Sequence, residues 1–298
     1  MNTVDFPESR IIYKYRPLYS TSPENKDETT GFHRHTISLL TKGELYFADP
    51  FEFNDPFDTQ FEIDMDIYDM KTFKTAVCLH TNKILLDFWL RYYDGWENWL
   101  AYYRNGYIKK GFVQKNENVY KHMFRICSLT KVCDHILMWS HYGAQHTGIC
   151  IGIKVEKYEN VDCLHCNPSQ DFFKTCTIFK DGYIPVHDVV YRDERLPRYR
   201  YHYDHPDELN KFLLTKSTNW QYEQEVRACG RADYGVTYKT QKKTVELCEK
   251  QIAEIIFGAR VDVEDIEKIK RILRNQSQIK YFKMKQNPDR YALDRIPF

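Results

Sequence analysis

Apolar and polar positions change period several times along the chain, and those changes mark its elements. Residues 10–16, reading Arg-Ile-Ile-Tyr-Lys-Tyr-Arg, predict a strand that stops at Pro17. A polar loop follows over 20–30, then a short helix over 35–41 and a strand over 44–48. Asp49-Pro50 and Asp55-Pro56 predict irregular turns, because the residue before proline avoids the helical region. From about 70 to 105, Trp89, Tyr92, Tyr93, Trp96, Trp99 and Tyr103 recur at three- and four-residue steps. This predicts a helical stretch whose aromatic face lies on the core or on a partner. Strands are expected over 124–130, 148–155, 186–191, 220–229, 252–257, 279–284 and 291–296. The near-continuous apolar run at 148–155 reads as a central one. Helices are expected around 138–142, over 206–217 behind Pro206, and over 263–274 with Asp262 as its cap. Residues 160–182 read as an inserted loop and 192–205 as a charged one. The order neither alternates regularly nor repeats. It predicts an α+β fold with a mixed, split β-core flanked by helices, one domain over 1–298.

Charge and composition narrow the classes. Lys and Arg number 43 against 42 Asp and Glu, a balance that argues against a whole-protein nucleic-acid footprint. No apolar run reaches the ~18 residues of a membrane span, and the start lacks a basic-then-apolar signal, so no membrane partner and a cytoplasmic location are expected. Nine cysteines, an odd number, fit reduced thiols. Cys163-Leu164-His165-Cys166, with Cys176 beyond it, is a CxxC. His165 or His187 could complete a ligand set, but a structural zinc usually takes two such pairs, so no metal is expected. P-loop, GxGxxG, HExxH and GxSxG motifs are absent. Residues 267–298 carry nine Lys/Arg against three Asp/Glu, a solvated face or a guide for an anionic ligand or nucleic acid. The 23 Tyr, 18 Phe and 5 Trp serve cores, and also form stacking walls for planar ligands.

Four segments carry candidate chemistry. In Tyr222-Glu223-Gln224-Glu225-Val226-Arg227, strand alternation would put Glu223, Glu225 and Arg227 on one face, the carboxylates about 7 Å apart. That is either a solvated ion-paired face or a carboxylate site that stabilises developing positive charge, as in cleavage of an N-glycosidic bond. Trp139-Ser140-His141-Tyr142 leads to His146-Thr147-Gly148. There His141 is either a general base or hydrogen-bond donor, or a histidine satisfied by the backbone. Asn54-Asp55-Pro56-Phe57-Asp58 is a turn, or a turn that orients a ligand. In Tyr13-Lys14-Tyr15-Arg16 the two cations share a strand face, either an ordinary edge or a grip on pyrophosphate.

Taken together and in this order, with Ile255-Ile256-Phe257-Gly258 after them, these segments resemble the bacterial family DUF2971 from about residue 11 to 275, without 160–182. The plan is also similar, more weakly, to ADP-ribosyltransferase toxins of the DNA-modifying type. Ser128-Leu129-Thr130 is only an imperfect match to their middle Ser-Thr-Ser motif. This second resemblance implies an ADP-ribosyltransferase-like fold and NAD as substrate. It further implies transfer to a nucleic-acid or protein acceptor, or hydrolysis, and a toxin or anti-phage role with an antitoxin-like or defence partner. It implies Glu225 as the catalytic carboxylate and Glu223 as its partner; His141, from its own segment, is a further catalytic candidate. Lys14 and Arg16 would hold phosphate or ribose, and Trp139 or Tyr142 would wall the nicotinamide. Asn54, Asp55, His146 and Arg227 would complete the binding set. The alternatives are a metal-dependent nuclease or hydrolase built on His141, His146 and Asp55, and a non-catalytic nucleotide- or partner-binding module.

Overall fold

The computed structural model describes residues 10–60, 70–80, 82–109, 124–167, 182–198, 208–231, 243–248 and 251–298. Its centre is a ten-stranded sheet in the order β14-β13-β12-β4-β1-β3-β10-β7-β6-β5. These strands are β1 (Ile11–Arg16), β3 (Phe124–Thr130), β4 (Ile149–Lys154), β5 (Glu156–Tyr158), β6 (Val161–His165), β7 (Tyr183–Asp188), β10 (Glu225–Arg231), β12 (Ile252–Phe257), β13 (Lys280–Gln286) and β14 (Leu293–Pro297). Two short pairs stand apart from it: β2 (Glu44–Tyr46) with β11 (Thr244–Glu246), and β8 (Val190–Arg192) with β9 (Thr215–Ser217). Within the large sheet β12 and β13 run parallel and the other neighbours antiparallel. The sheet is therefore mixed, and with its helices the fold is α+β.

One seam in the sheet differs from the rest. β1 pairs with β4 over six positions, and β10 with β3 over seven. β1 meets β3 at a single position, Tyr13 opposite Thr130. Beyond that pair the two strands part, and side chains rather than ladder hydrogen bonds fill the gap. Lys14 Nζ, for example, donates to the Ser128 carbonyl at 2.6 Å.

Helices cover both faces because strand alternation gives each face its own apolar set. On one face Ile12, Leu129, Ile151 and Ile255 pack against α1 (Arg34–Lys42) and α7 (Val263–Ile272) through Ile37, Leu40, Ile266 and Ile269. On the other, Tyr13, Tyr15 and Ile256 pack with Met138 and Trp139 of α5 (Ile136–His141). A third cluster joins Phe124 and Ile126 to Trp99 and Leu100 of α4 (Trp96–Lys109) and Phe212 of α6 (Glu208–Leu213). No helix among the described residues is long and apolar enough to cross a membrane.

Several expectations need correction. The stretch 70–105 is helical as expected, and is divided into three helices: α2 (Met70–His80), α3 (Lys83–Tyr92) and α4. Asn82 caps the start of α3 by accepting from Leu85 N at 2.9 Å, and Asp94 and Gly95, with φ of 55° and 104°, separate α3 from α4 inside the aromatic stripe. The aromatic stripe divides accordingly, with Trp99 buried and Tyr92 exposed. The insertion at 160–182 opens with a regular strand, β6; its residues 168–181, Cys176 among them, lie outside the described residues. The helix expected over 206–217 is the short α6, and 215–217 is β9. Asp262 stands at the start of α7 without a side-chain cap. The strand expected over 220–229 begins only at Glu225, after a 3-10 turn over Thr218–Glu223.

Candidate functional site

The opening between β1 and β3 is a cavity of about 430 Å³, within the ~300–1,000 Å³ range of small-molecule sites. β1 supplies Tyr13, Lys14, Tyr15 and Arg16, and β3 supplies Ser128, Leu129 and Thr130. Asn54 and Asp58 come from the Asn-Asp-Pro turn, Tyr142 from the end of α5, and Lys216, Glu223 and Glu225 from the β9–β10 region.

Glu223 and Glu225 converge, but not by strand alternation. Gln224 has φ 42° and ψ 50°, left-handed values that cost a residue with a side chain about 1–2 kcal/mol. The kink lets both carboxylates meet Lys216 Nζ, at 2.5 Å from Glu223 and 3.1 Å from Glu225. Thr130 Oγ1 donates to the Glu223 carbonyl at 2.5 Å, and Glu225 N donates to the Tyr191 hydroxyl at 2.7 Å, so backbone as well as side chains fix the turn. Tyr142 donates to Glu223 Oε1 at 2.6 Å and is hydrogen-bonded to Asn54.

Arg227 lies behind this pair and is fully buried. It forks onto Glu225 through Nε at 2.8 Å and Nη2 at 3.0 Å. It also forks onto Asp58 through Nη1 at 2.9 Å and Nη2 at 2.6 Å, and caps the Leu213 carbonyl at 2.6 Å. Such bidentate pairs fix geometry as well as adding energy. Burial alone would raise the Glu225 carboxyl; the Arg227 guanidinium, with Lys216, outweighs it and holds the group down at about 2. For Asp58 burial dominates and pushes its carboxyl up despite Arg227. Lys216 is raised, because Glu225 and Glu223 outweigh burial. Burial, then Glu223, raises the Tyr142 phenol.

The other part of the cavity holds Lys14, Arg16 and His35, with Glu44 and Glu52 also in the lining. Arg16 Nε is buried and, among the described residues, has no hydrogen-bond partner. Burial and then the Arg16 charge push His33 down to about 4, and the same two causes lower His35. Both imidazoles are thus neutral near pH 7, and Arg16 is the cation. Burial also lowers Lys14. One cavity therefore joins an uncompensated guanidinium to a clustered carboxylate pair, a polarity that suits a ligand with an anionic part and a part that gains positive charge.

The structure brings together Lys14, Arg16, Asn54, Tyr142, Glu223 and Glu225. Trp139 stands behind the wall, fully buried, its indole N–H donating to the Cys133 carbonyl at 2.9 Å and its ring edge-on to Tyr15. Arg227 is an anchor rather than a lining group. Asp55 caps its own turn by accepting from Phe57 N at 2.9 Å. His141 is exposed beside Tyr142 and Tyr222, and His146 lines a second cavity. His141, His146 and Asp55 are therefore not gathered into one site. No group of three His, Cys, Asp or Glu able to hold a metal occurs among the described residues; Cys163 and Cys166 are buried free thiols. Two residues of the site carried no assigned role in the sequence reading. Asp58 closes the Phe-Asn-Asp-Pro-Phe-Asp motif, and that motif was its signal. Lys216 gave none, being one lysine among many.

In comparisons with known proteins, the family described as a protein of unknown function (DUF2971) matches residues 138–228, which supports that resemblance over the segment holding Tyr142, Lys216, Glu223 and Glu225. No curated protein and no solved structure matches the chain.

Proposed function

We propose that the cavity binds NAD and cleaves its N-glycosidic bond, passing ADP-ribose to a macromolecular acceptor or to water. The observation that carries this reading is the shared cavity at the β1–β3 seam, which holds Arg16 without a partner for its buried Nε together with Glu223 and Glu225. Arg16 and Lys14 receive the pyrophosphate. Tyr142 walls the nicotinamide end. The carboxylates stabilise the ribose as its anomeric carbon gains positive charge, a preorganised electrostatic role. Glu225 is already ionised against Arg227, so the site needs no proton shift to present its charge.

The test follows nicotinamide release and melting temperature in the full-length protein with and without NAD. NAD should raise the melting temperature by linkage. Glu225→Gln should slow release by about 100-fold or more. Glu223→Gln, which leaves the Arg227 fork intact, guards against a folding defect. Release at full rate in both variants would refute the assignment, as would the absence of both release and a thermal shift in the wild type.

A further inference from the structure

A second cavity, of about 700 Å³, shares no lining residue with the first. Its charged and titratable side chains are those of His146, Arg260, Lys283 and Lys285; among the described residues no Asp or Glu side chain is in the lining, and Asp294 stands opposite Lys285 on β14. Lys283 Nζ is committed to the Val261 carbonyl at 2.9 Å. Arg260 and Lys285 are exposed, and among the described residues neither side chain has a hydrogen bond or ion pair. Met284, Leu293 and Phe298 give the same cavity an apolar wall.

His146 reaches this cavity through an unusual turn. Ala144, Gln145 and His146 are left-handed in succession, with φ of 49°, 54° and 71°. Side-chain-bearing residues adopt such runs only where the surroundings over-determine them, and these cluster at functional sites. Here the surroundings are tight. Arg260 N donates to the His146 carbonyl at 3.0 Å, and a Cβ at Gly258 would stand 2.2 Å from that oxygen. The His146 ring lies over Trp139 with an interplanar angle of 15°, and its Nε2 is 3.5 Å from Ser140 Oγ. Nδ1 has no partner among the described residues.

We propose that this second cavity is a nucleotide-phosphate site: Arg260, Lys285 and His146 take the phosphate oxygens, and Met284, Leu293 and Phe298 receive the base. The shared chemistry is a phosphate ester beside a planar apolar group, supplied by a free mononucleotide or by a unit of single-stranded nucleic acid. The site stands on residues separate from those of the proposed NAD cavity, so either can fail alone.

The experiment titrates the full-length protein with AMP and, separately, with a fluorescent single-stranded DNA 12-mer. The variants are Arg260→Gln/Lys285→Gln, the charge-matched control Arg274→Gln/Lys280→Gln, and Arg16→Gln in the first cavity. Removing two charge-assisted contacts should weaken binding about tenfold or more in the first pair only. That pattern with AMP identifies a free nucleotide, and with the oligonucleotide alone a strand. The proposal is overturned if the wild type binds neither probe, if the control pair loses as much, or if the loss appears only in Arg16→Gln.

Discussion

The ion cluster behind the first cavity makes a quantitative pH prediction. Glu225 ordinarily titrates at 4.5 and is held at about 2 in the folded protein. A depressed folded value means stability that is present above the unfolded value and lost as pH falls toward the folded one. The gap between the two values corresponds to about 3 kcal/mol, of which about 2 kcal/mol should be gone by pH 3. Glu225 is almost fully buried, so solvent screening removes little of this. Asp58 acts with the opposite sign, because its carboxyl is raised, and so reduces the net slope. Comparison with Glu225→Gln separates the two: the wild type's advantage over the variant should shrink by about 2 kcal/mol from pH 6 to pH 3. Urea unfolding followed by tryptophan fluorescence at several pH values measures this. An advantage that stays constant across the range would show that Arg227 does not hold Glu225 ionised.

The two aspartates of the Asn-Asp-Pro turn should behave differently. Asp58→Ala strips a fully buried guanidinium of one bidentate partner and should cost about 3–5 kcal/mol, whereas Asp55→Ala loses one turn-capping hydrogen bond and should cost about 1 kcal/mol; equilibrium denaturation compares them directly. Gly258→Ala would press a methyl group against the His146 carbonyl and should destabilise by at least 1–3 kcal/mol, roughly the cost of core overpacking, seen as a lower melting temperature.

Much of the frame was legible in the chain because strong period-two or continuous apolar runs coincide with buried strands. The runs at 10–16, 124–130 and 252–257 lie at β1, β3 and β12 almost residue for residue. The approach to Glu225 was misread for a physical reason. Trp220, Tyr222 and Val226 look like strand residues, and no turn residue announces that Gln224 is left-handed, since Thr130, far away in the sequence, and Lys216, in the strand just before, hold the turn through Glu223. The same kind of contact explains Arg227. Its position two residues after Glu225 showed a pairing, but its second partner, Asp58, is far away along the chain. The stripe of aromatics showed helix but not how many helices, because the breaks depend on a cap at Asn82 and on the left-handed residues Asp94 and Gly95.

The lone Tyr13–Thr130 pair divides the ten strands into two groups of five: β14-β13-β12-β4-β1 on one side and β3-β10-β7-β6-β5 on the other. Each group is a continuous ladder, and the join between them rests on one backbone pair and on side chains such as Lys14 on the Ser128 carbonyl and Tyr15 on the Val132 carbonyl. Arg16 rides on one leaf, and Glu223 and Glu225 ride on the other. A molecule held at both Arg16 and the carboxylates would therefore span the two leaves, adding a link across the seam where the backbone supplies only one.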